Sequence, residues 1–572
     1  TGPANSELPK GFPMAIAIKK TAAIAIAAGL TFAGSAGIAA QDALAQTTNT
    51  TAPTPAPGVP DAATIGNDEV TLTINKRVNP SELRSATGGT DSSASGKPLA
   101  GVGFTAERIN LDITKQENFN KIAKLANDRD IEGARKLGTE KAITFDDTDA
   151  NGQTKQSLKV GAYIITETKT PKIEGGETYV PAEPFIVFLP MTNSTGNGWN
   201  RDVQVYPKNS YAKVTKTVVD KDKNTKSDGA GESGKPGFLG ARPATNAEVQ
   251  YTLDGVVPAA PEGRELKNVT LTDASNSAEL EWDTTDNAFI QSVEVVRGNK
   301  VVKTLTAEEY SVDTSVKAPA QTENNTVAAG ADQAFAVTVS AKENGLQPGD
   351  VVRVKVKATM LKDDAASKGI ENSVRESFVF RNPSTDQDDA PKETPDDKVV
   401  TYVGDISVYK RGEGNKALAG AEFQIGKCNA DKNDIAGNAI QTGVTDAEGN
   451  LTFPGLHVTD YVNDAEVTDA VANYCVKETK APSGYATPSG KDAVHEITLT
   501  RETANALNTE KTAFDAAASK NVIANGAVID NVKKTTPTLP ATGGMGVLII
   551  ALAGLAIIGG GVYAARRNSQ SA

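Results

Sequence analysis

The stretches Leu72-Thr73-Ile74-Asn75-Lys76-Arg77-Val78, Val214-Thr215-Lys216-Thr217-Val218 and Ile406-Ser407-Val408-Tyr409-Lys410 share one peculiarity. Each alternates apolar and polar residues with period two, as a half-buried strand does, yet each puts a lysine in the apolar phase. A buried ammonium is costly unless it is paired or gives up its charge, so each lysine predicts a partner on the same inward face elsewhere in its unit. Three such strands predict three β-domains built on one plan.

The partners follow from the same alternation. Tyr163-x-Ile165-x-Glu167 in the first unit and Tyr474-x-Val476-x-Glu478 in the last place a glutamate on the apolar face. Val269-x-Leu271-x-Asp273 supplies an inward aspartate to the middle unit; Asp254, on the opposite face of Val249-x-Tyr251-x-Leu253, is the alternative. Asparagines complete the sets: Asn209 after Val203-x-Val205-x-Pro207, Asn372 before Val374, and Asn531 after Ala527-x-Ile529. Asn382 is also in phase in the middle unit. In an apolar pocket the lysine becomes a nucleophilic amine and the acid a proton donor that polarises the amide, so a Lys–Asn isopeptide bond forms and ammonia leaves. The plainer alternative is a lysine that snorkels to water and never reacts.

The chain of 572 residues has only 5% aromatic residues, which suits several modest β-domains better than one large enzyme core. A net charge of -12 argues against nucleic acid or an anionic membrane as partner. Two cysteines and two histidines leave a catalytic or zinc site poorly supplied, and no cofactor or metal is expected. Pairing Cys428 with Cys475 would close a loop of about 48 residues, for which chain entropy gives roughly 4 kcal/mol; two free thiols are the other possibility. Cys475 is read as facing outward beside Glu478. The loop Asp220-x-Asp222-x-Asn224 resembles the start of a calcium loop but lacks its later glycine and glutamate, so a solvated turn is expected.

Met14, Lys19-Lys20, the apolar run from Ala22 and Ala43-Leu44-Ala45 read as a signal peptide over 14–45, with residues 1–13 given no role. Residues 46–61 are a Pro/Thr-rich linker. Between Phe104 and Phe145, helical spacing at Phe119, Ile122 and Leu125 predicts a helix inserted in the first β-domain. At the far end, Leu539-Pro540-Ala541-Thr542-Gly543 precedes an uncharged run over 545–565 and Arg566-Arg567. About 21 residues suffice to cross a bilayer, and the arginines would stay cytoplasmic.

The order Leu-Pro-x-Thr-Gly, apolar span, basic tail resembles the cell-wall sorting signal of Gram-positive surface proteins. That resemblance implies that a sortase cleaves Thr542–Gly543 and passes the threonyl carbonyl to an amine. Gly96-Lys97-Pro98-Leu99-Ala100-Gly101, Lys416-Ala417-Leu418-Ala419-Gly420 and Lys477-Glu478-Thr479 resemble CnaB-like Ig-type domains, and the Lys–acid–Asn sets resemble those of CnaA-like and CnaB-like domains. Trp199-x-x-x-Val203-x-Val205-Tyr206-Pro207-Lys208 resembles the pilin motif of major pilins of sortase-assembled Gram-positive pili, the SpaA/FimA type. It implies that Lys208 is the acceptor amine. Alternation puts Val203, Val205 and Asn209 inward and Gln204, Tyr206 and Lys208 outward.

The expectation is therefore an all-β chain of tandem Ig-like sandwiches: a CnaB-like domain (62–209), a CnaA-like domain (210–398) and a CnaB-like domain (399–533), with 393–398 and 533–538 as polar linkers and a sorting signal over 534–572. The function implied is the shaft subunit of a covalent, wall-anchored surface pilus of a Gram-positive bacterium. Its partners would be further copies of itself, pilus-specific and housekeeping sortases, peptidoglycan, minor pilins and a receptor on host or bacterial cells. A monomeric wall-anchored adhesin of the collagen-binding type would use the same domains without Lys208, and a hydrolase has no visible nucleophile–base pair.

Overall fold

The computed structural model describes residues 60–78, 96–171, 177–193, 197–261, 263–322, 326–361, 369–467, 472–504 and 526–534. The expected signal peptide and, beyond Lys534, the sorting signal lie outside these residues. Among the described residues no helix is long and apolar enough to cross a membrane. They form two compact units, one of residues up to 170, 181–209 and 261–263, the other of 171–180, 210–260 and 264 onward.

In the first unit, Val70–Asn75 pairs in parallel with Asp202–Val205 and antiparallel with Gln153–Leu158. A second, antiparallel sheet runs Ile143–Thr144, Gly103–Arg108, Gly161–Lys169, Phe185–Leu189. Alternation drives the packing: Val70, Leu72, Ile74, Val203 and Val205 are buried. The inserted helix is Gln116–Asp128, with Phe119 and Ile122 inside, and Arg129 ends it in the left-handed conformation. A shorter helix, Ile131–Arg135, follows and is capped by the Asp130 carboxylate on the Gly133 N–H at 2.7 Å.

The second unit holds two sandwiches. In the first of them one sheet runs Lys300–Thr304, Ile290–Arg297, Val351–Met360, Glu248–Val256, Lys208–Val219, and the other Tyr310–Asp313, Gln333–Ser340, Glu265–Ser275, Ile370–Asn382. Residues 393–398 are not a free linker. Lys392–Glu393 and Asp397–Thr401 both pair with Ile370–Asn382, because its outer edge offers unpaired backbone groups that polar side chains do not disqualify. In the next sandwich, Val403–Arg411 pairs in parallel with Gly526–Asp530 and antiparallel with Asn450–His457, repeating the plan of the first unit. Its second sheet runs Gln441–Val444, Glu422–Lys427, Tyr474–Lys480, Val494–Ile497. Cys428 and Cys475 form a disulfide. Cys475 is fully buried rather than outward, because Val494 and Ile435 cover that side of the sheet.

Segments between the sandwiches of this unit are built, not loose. Asp220 is buried, accepting from Thr401 Oγ1 at 2.6 Å and the Asn463 N–H at 2.7 Å, so the loop resembling a calcium site is structural. Among the described residues no His, Cys, Asp or Glu cluster is arranged for a metal ion. Arg242 is buried and donates to Thr225 O at 2.7 Å, Pro454 O at 2.8 Å and Gln441 Oε1 at 3.1 Å. Beside it, Val444 N–H donates to Phe238 O and Gly240 N–H to Thr442 O, each at 2.8 Å, adding a short strand to the edge of Gln441–Val444.

The core between the sheets of the middle sandwich centres on three rings: Phe335 lies 4.6 Å from Phe289 and 5.0 Å from Trp282. Phe335→Ala should destabilise that sandwich by about 3–5 kcal/mol, read as a lower urea midpoint with the last sandwich unshifted.

Candidate functional site: three buried lysines

The backbone places the lysines of the two like-built sandwiches identically. Lys76 N–H donates to Gly152 O and Lys410 N–H to Gly449 O, both at 2.7 Å. Lys76 O accepts from Leu99 N–H at 3.1 Å and Lys410 O from Leu418 N–H at 2.9 Å. The leucines belong to the stretches at 96–101 and 416–420, which gives those stretches a role: they hold the lysine backbone. Gly152 (φ +72°) and Gly449 (φ +78°) must be glycine, since a Cβ there would stand 2.5 and 2.6 Å from the two lysine carbonyls.

In the first unit, Lys76 Nζ donates to Glu167 Oε2 at 2.7 Å, with side chains 0% and 1% exposed. Asn209 Nδ2 donates to Glu167 Oε1, also at 2.7 Å. The Asn209 carbonyl oxygen accepts from the Ala182 N–H at 2.8 Å. Burial pulls the Lys76 pKa from 10.5 down to about 8, with Glu167 offsetting part of the shift.

In the last sandwich, Lys410 Nζ donates to Asn531 Oδ1 at 2.6 Å and lies 3.1 Å from Glu478 Oε2. Asn531 Nδ2 donates to Glu478 Oε1 at 2.7 Å. Burial lowers the Lys410 pKa and raises that of Glu478, each partly offset by the other's charge. Both shifts favour moving the proton from amine to acid, which frees a lone pair for attack.

In the middle sandwich the set spans the two sheets, with Lys216 in one and Asp273 and Asn372 in the other. Lys216 donates to Asp273, both side chains fully buried, and Asn372 Nδ2 lies 3.4 Å from Asp273 Oδ2. Burial again lowers the lysine and raises the acid. The Tyr251 ring, 4.9 Å from Nζ, walls the pocket. The alternatives lie elsewhere: Asn382 Oδ1 accepts from the Ser384 N–H in a turn, and Asp254 is paired with Arg353.

The motif around Lys208 departs in part from strict alternation. Val203 and Val205 are fully buried, but Tyr206 is also buried, at 8% exposure. The strand Asp202–Val205 ends before Tyr206, and proline at 207 has no N–H with which to continue it, so the period-two rule lapses there. Pro207 O instead accepts from the Arg77 N–H at 3.1 Å. Lys208 is half-buried, and it and Asn209 pair in register with Arg77 and Val78. Trp199 Nε1 donates to Thr64 Oγ1 at 2.8 Å, and its ring lies 6.0 Å from Phe119. Leu539 to Gly543 lie outside the described residues. The sequence reading missed Ala182 and Arg242; backbone direction carries no composition signal, and an isolated arginine reads as surface.

A chain bearing Asn209→Ala, in which the first-unit bond cannot close, should gain stability between about pH 8 and 10.5. Over that window the unfolded chain binds the proton that folded Lys76 has shed, so stability rises with pH, by up to about 3 kcal/mol. Chemical denaturation across pH checks this; adding Lys76→Met should abolish the slope.

Comparisons with known proteins agree with this architecture. Residues 67–210 match the family described as Gram-positive pilin subunit D1, N-terminal domain, and residues 404–513 match the SpaA prealbumin-like fold domain. Fimbrial subunit type 1 of Actinomyces viscosus is 28% identical over 566 residues, covering 90% of this chain and 93% of that protein. Fimbrial subunit type 2 of Actinomyces naeslundii is 28% identical over 537 residues, covering 85% and 87%. The full-length major pilin SpaD of Corynebacterium diphtheriae superposes with a TM-score of 0.57 at 26% identity, over 83% of this chain and 100% of that one. Residues 67–210 and 404–513 thus match pilin domains, and the chain is similar along nearly its whole length to fimbrial subunits and a major pilin, which are structural subunits rather than enzymes.

Proposed function

We propose that this pilin is the shaft subunit of a covalent pilus in which a sortase joins Thr542 of one copy to Lys208 of the next. The observation that carries the reading is the recurrence of a buried Lys–carboxyl–Asn set in all three sandwiches. Each set would close to an isopeptide bond: Lys76 to Asn209 with Glu167, Lys216 to Asn372 with Asp273, and Lys410 to Asn531 with Glu478. Such ties have a use where one molecule carries the load of a whole filament. Head-to-tail joining of Lys208 to Thr542 repeats without closing and so yields a fibre.

The same reading takes residues 14–45 as an export signal and 545–565 as a temporary membrane hold released when sortase cleaves at Gly543. A pilus-specific sortase would build the shaft, a housekeeping sortase would transfer it to peptidoglycan, and minor pilins and a cell-surface receptor would complete its partners. Adhesion is the service such a fibre supplies.

Two outcomes are expected. Glu478→Gln should leave the folded chain heavier than the parent by about 16 Da in intact-mass spectra, one retained ammonia of about 17 Da less the roughly 1 Da by which Gln is lighter than Glu; a mass about 1 Da below the parent's would refute the assigned role. Lys208→Ala should abolish the high-mass ladder of surface polymer on denaturing gels, and digested parental polymer should yield a branched peptide containing Lys208 and Thr542. A ladder that survives the substitution would favour another acceptor, and monomer alone in the parent would favour the wall-anchored adhesin.

A further inference from the structure

The three sets differ in what touches the amide oxygen that must become negative. In the last sandwich Asn531 Oδ1 accepts from the nucleophile itself, Lys410 Nζ, at 2.6 Å. In the middle one Asn372 Oδ1 has no hydrogen-bond partner among the described residues. In the first unit a third group enters: the Ala182 N–H donates to Asn209 Oδ1 at 2.8 Å, and lies 3.2 Å from Glu167 Oε2. Ala182 is only 8% exposed and sits between Pro181 and Pro184, whose rings restrict the backbone, in the turn between Glu177–Val180 and Phe185–Leu189. A backbone donor fixed before reaction is the arrangement that stabilises an oxyanion without reorganising.

We propose that the Ala182 N–H is the oxyanion donor for cross-linking in the first unit. The assignment rests on the reading that Lys76 and Asn209 become joined. Lys76 Nζ first passes a proton to Glu167 Oε2, giving a neutral amine and a neutral acid. The Nζ lone pair then adds to Asn209 Cγ; the carbonyl electron pair moves onto Oδ1, where the Ala182 N–H meets it. Glu167 delivers its proton to Asn209 Nδ2, with which Oε1 already shares a hydrogen bond. Collapse of Oδ1 to a carbonyl breaks Cγ–Nδ2 and releases ammonia, and one of the two protons on Nζ passes to the regenerated Glu167 carboxylate while the other stays on the new amide, so that no oxidant or water is consumed. The shared position of the N–H, near both Oε2 and Oδ1, lets it stabilise the carboxylate before proton transfer and the oxyanion after it.

The test is the full chain made by cell-free translation with L-lactic acid in place of Ala182, which turns that amide into an ester and removes the N–H while keeping the methyl group. The Lys76–Asn209 junction is followed by peptide mass over time, and the Lys410–Asn531 junction of the same chain serves as the internal clock. The expected result is first-unit closure slowed by roughly 10²-fold or more with the clock unchanged, and Ala182→Gly, which retains the N–H, within a few-fold of the parent. An ester chain closing as fast as the parent overturns the proposal. A parent that never shows the Lys76–Asn209 junction, while its clock junction forms, overturns instead the cross-link reading on which the proposal rests. Should the ester chain fail to reach the native near-ultraviolet circular dichroism, a Lys76→Met chain decides. Its Ala182 amide proton should resonate downfield and move upfield on adding Asn209→Ala; no movement overturns the assignment.

Discussion

Putting an ammonium and a carboxylate into an apolar sandwich is the constraint around which this molecule is built. Desolvating two ions costs several kcal/mol each, and the structure answers by placing each lysine against one carboxyl and one amide in fixed geometry. A pocket that only stored such a pair would be a poor stabiliser. A pocket that makes the charged forms uncomfortable is instead a good place to transfer a proton and start chemistry, as the opposed shifts of Lys410 and Glu478 and of Lys216 and Asp273 illustrate.

The position of each set within its sandwich gives the chemistry a mechanical meaning. In the first and last sandwiches the opening strand pairs in parallel with the closing strand, Ile74 with Val205 and Lys410 with Ile529. Pulling on the two ends of such a domain loads that ladder in shear, where hydrogen bonds share the force, and a covalent tie there would shorten the extensible chain to almost nothing. The middle set spans sheets instead: Lys216 lies in one, Asp273 and Asn372 in the other. There a tie would resist the sheets sliding apart. Within the second unit, buried Arg242 and the strand added beside Gln441–Val444 connect successive sandwiches through hydrogen bonds that water cannot compete for.

The described residues fit the structural role of the proteins this chain resembles. The relatives are fimbrial subunits aligned over most of their length, and the SpaD pilin superposes along the whole of its described chain. A net charge of -12, few aromatic residues and repeated sandwiches suit a structural subunit better than one large enzyme core.

Much of this was legible from alternation alone. Lys76, Lys216 and Lys410, their acids Glu167, Asp273 and Glu478, the amides Asn209 and Asn531, and Asn372 as one of two in-phase candidates follow from counting in twos, because on a strand side-chain direction is a local property of the backbone. The helix Gln116–Asp128 was legible for the corresponding reason at period 3.6. What the sequence could not decide was anything set by other segments: that Asn372 and not Asn382 meets Asp273, that Tyr206 turns inward where Pro207 ends the strand, that residues 393–398 are captured by a sheet edge, that Cys475 is covered, and that the Ala182 N–H reaches Asn209. Those depend on register, edge availability and backbone direction between distant stretches, which no local pattern encodes and only the closed tertiary structure fixes.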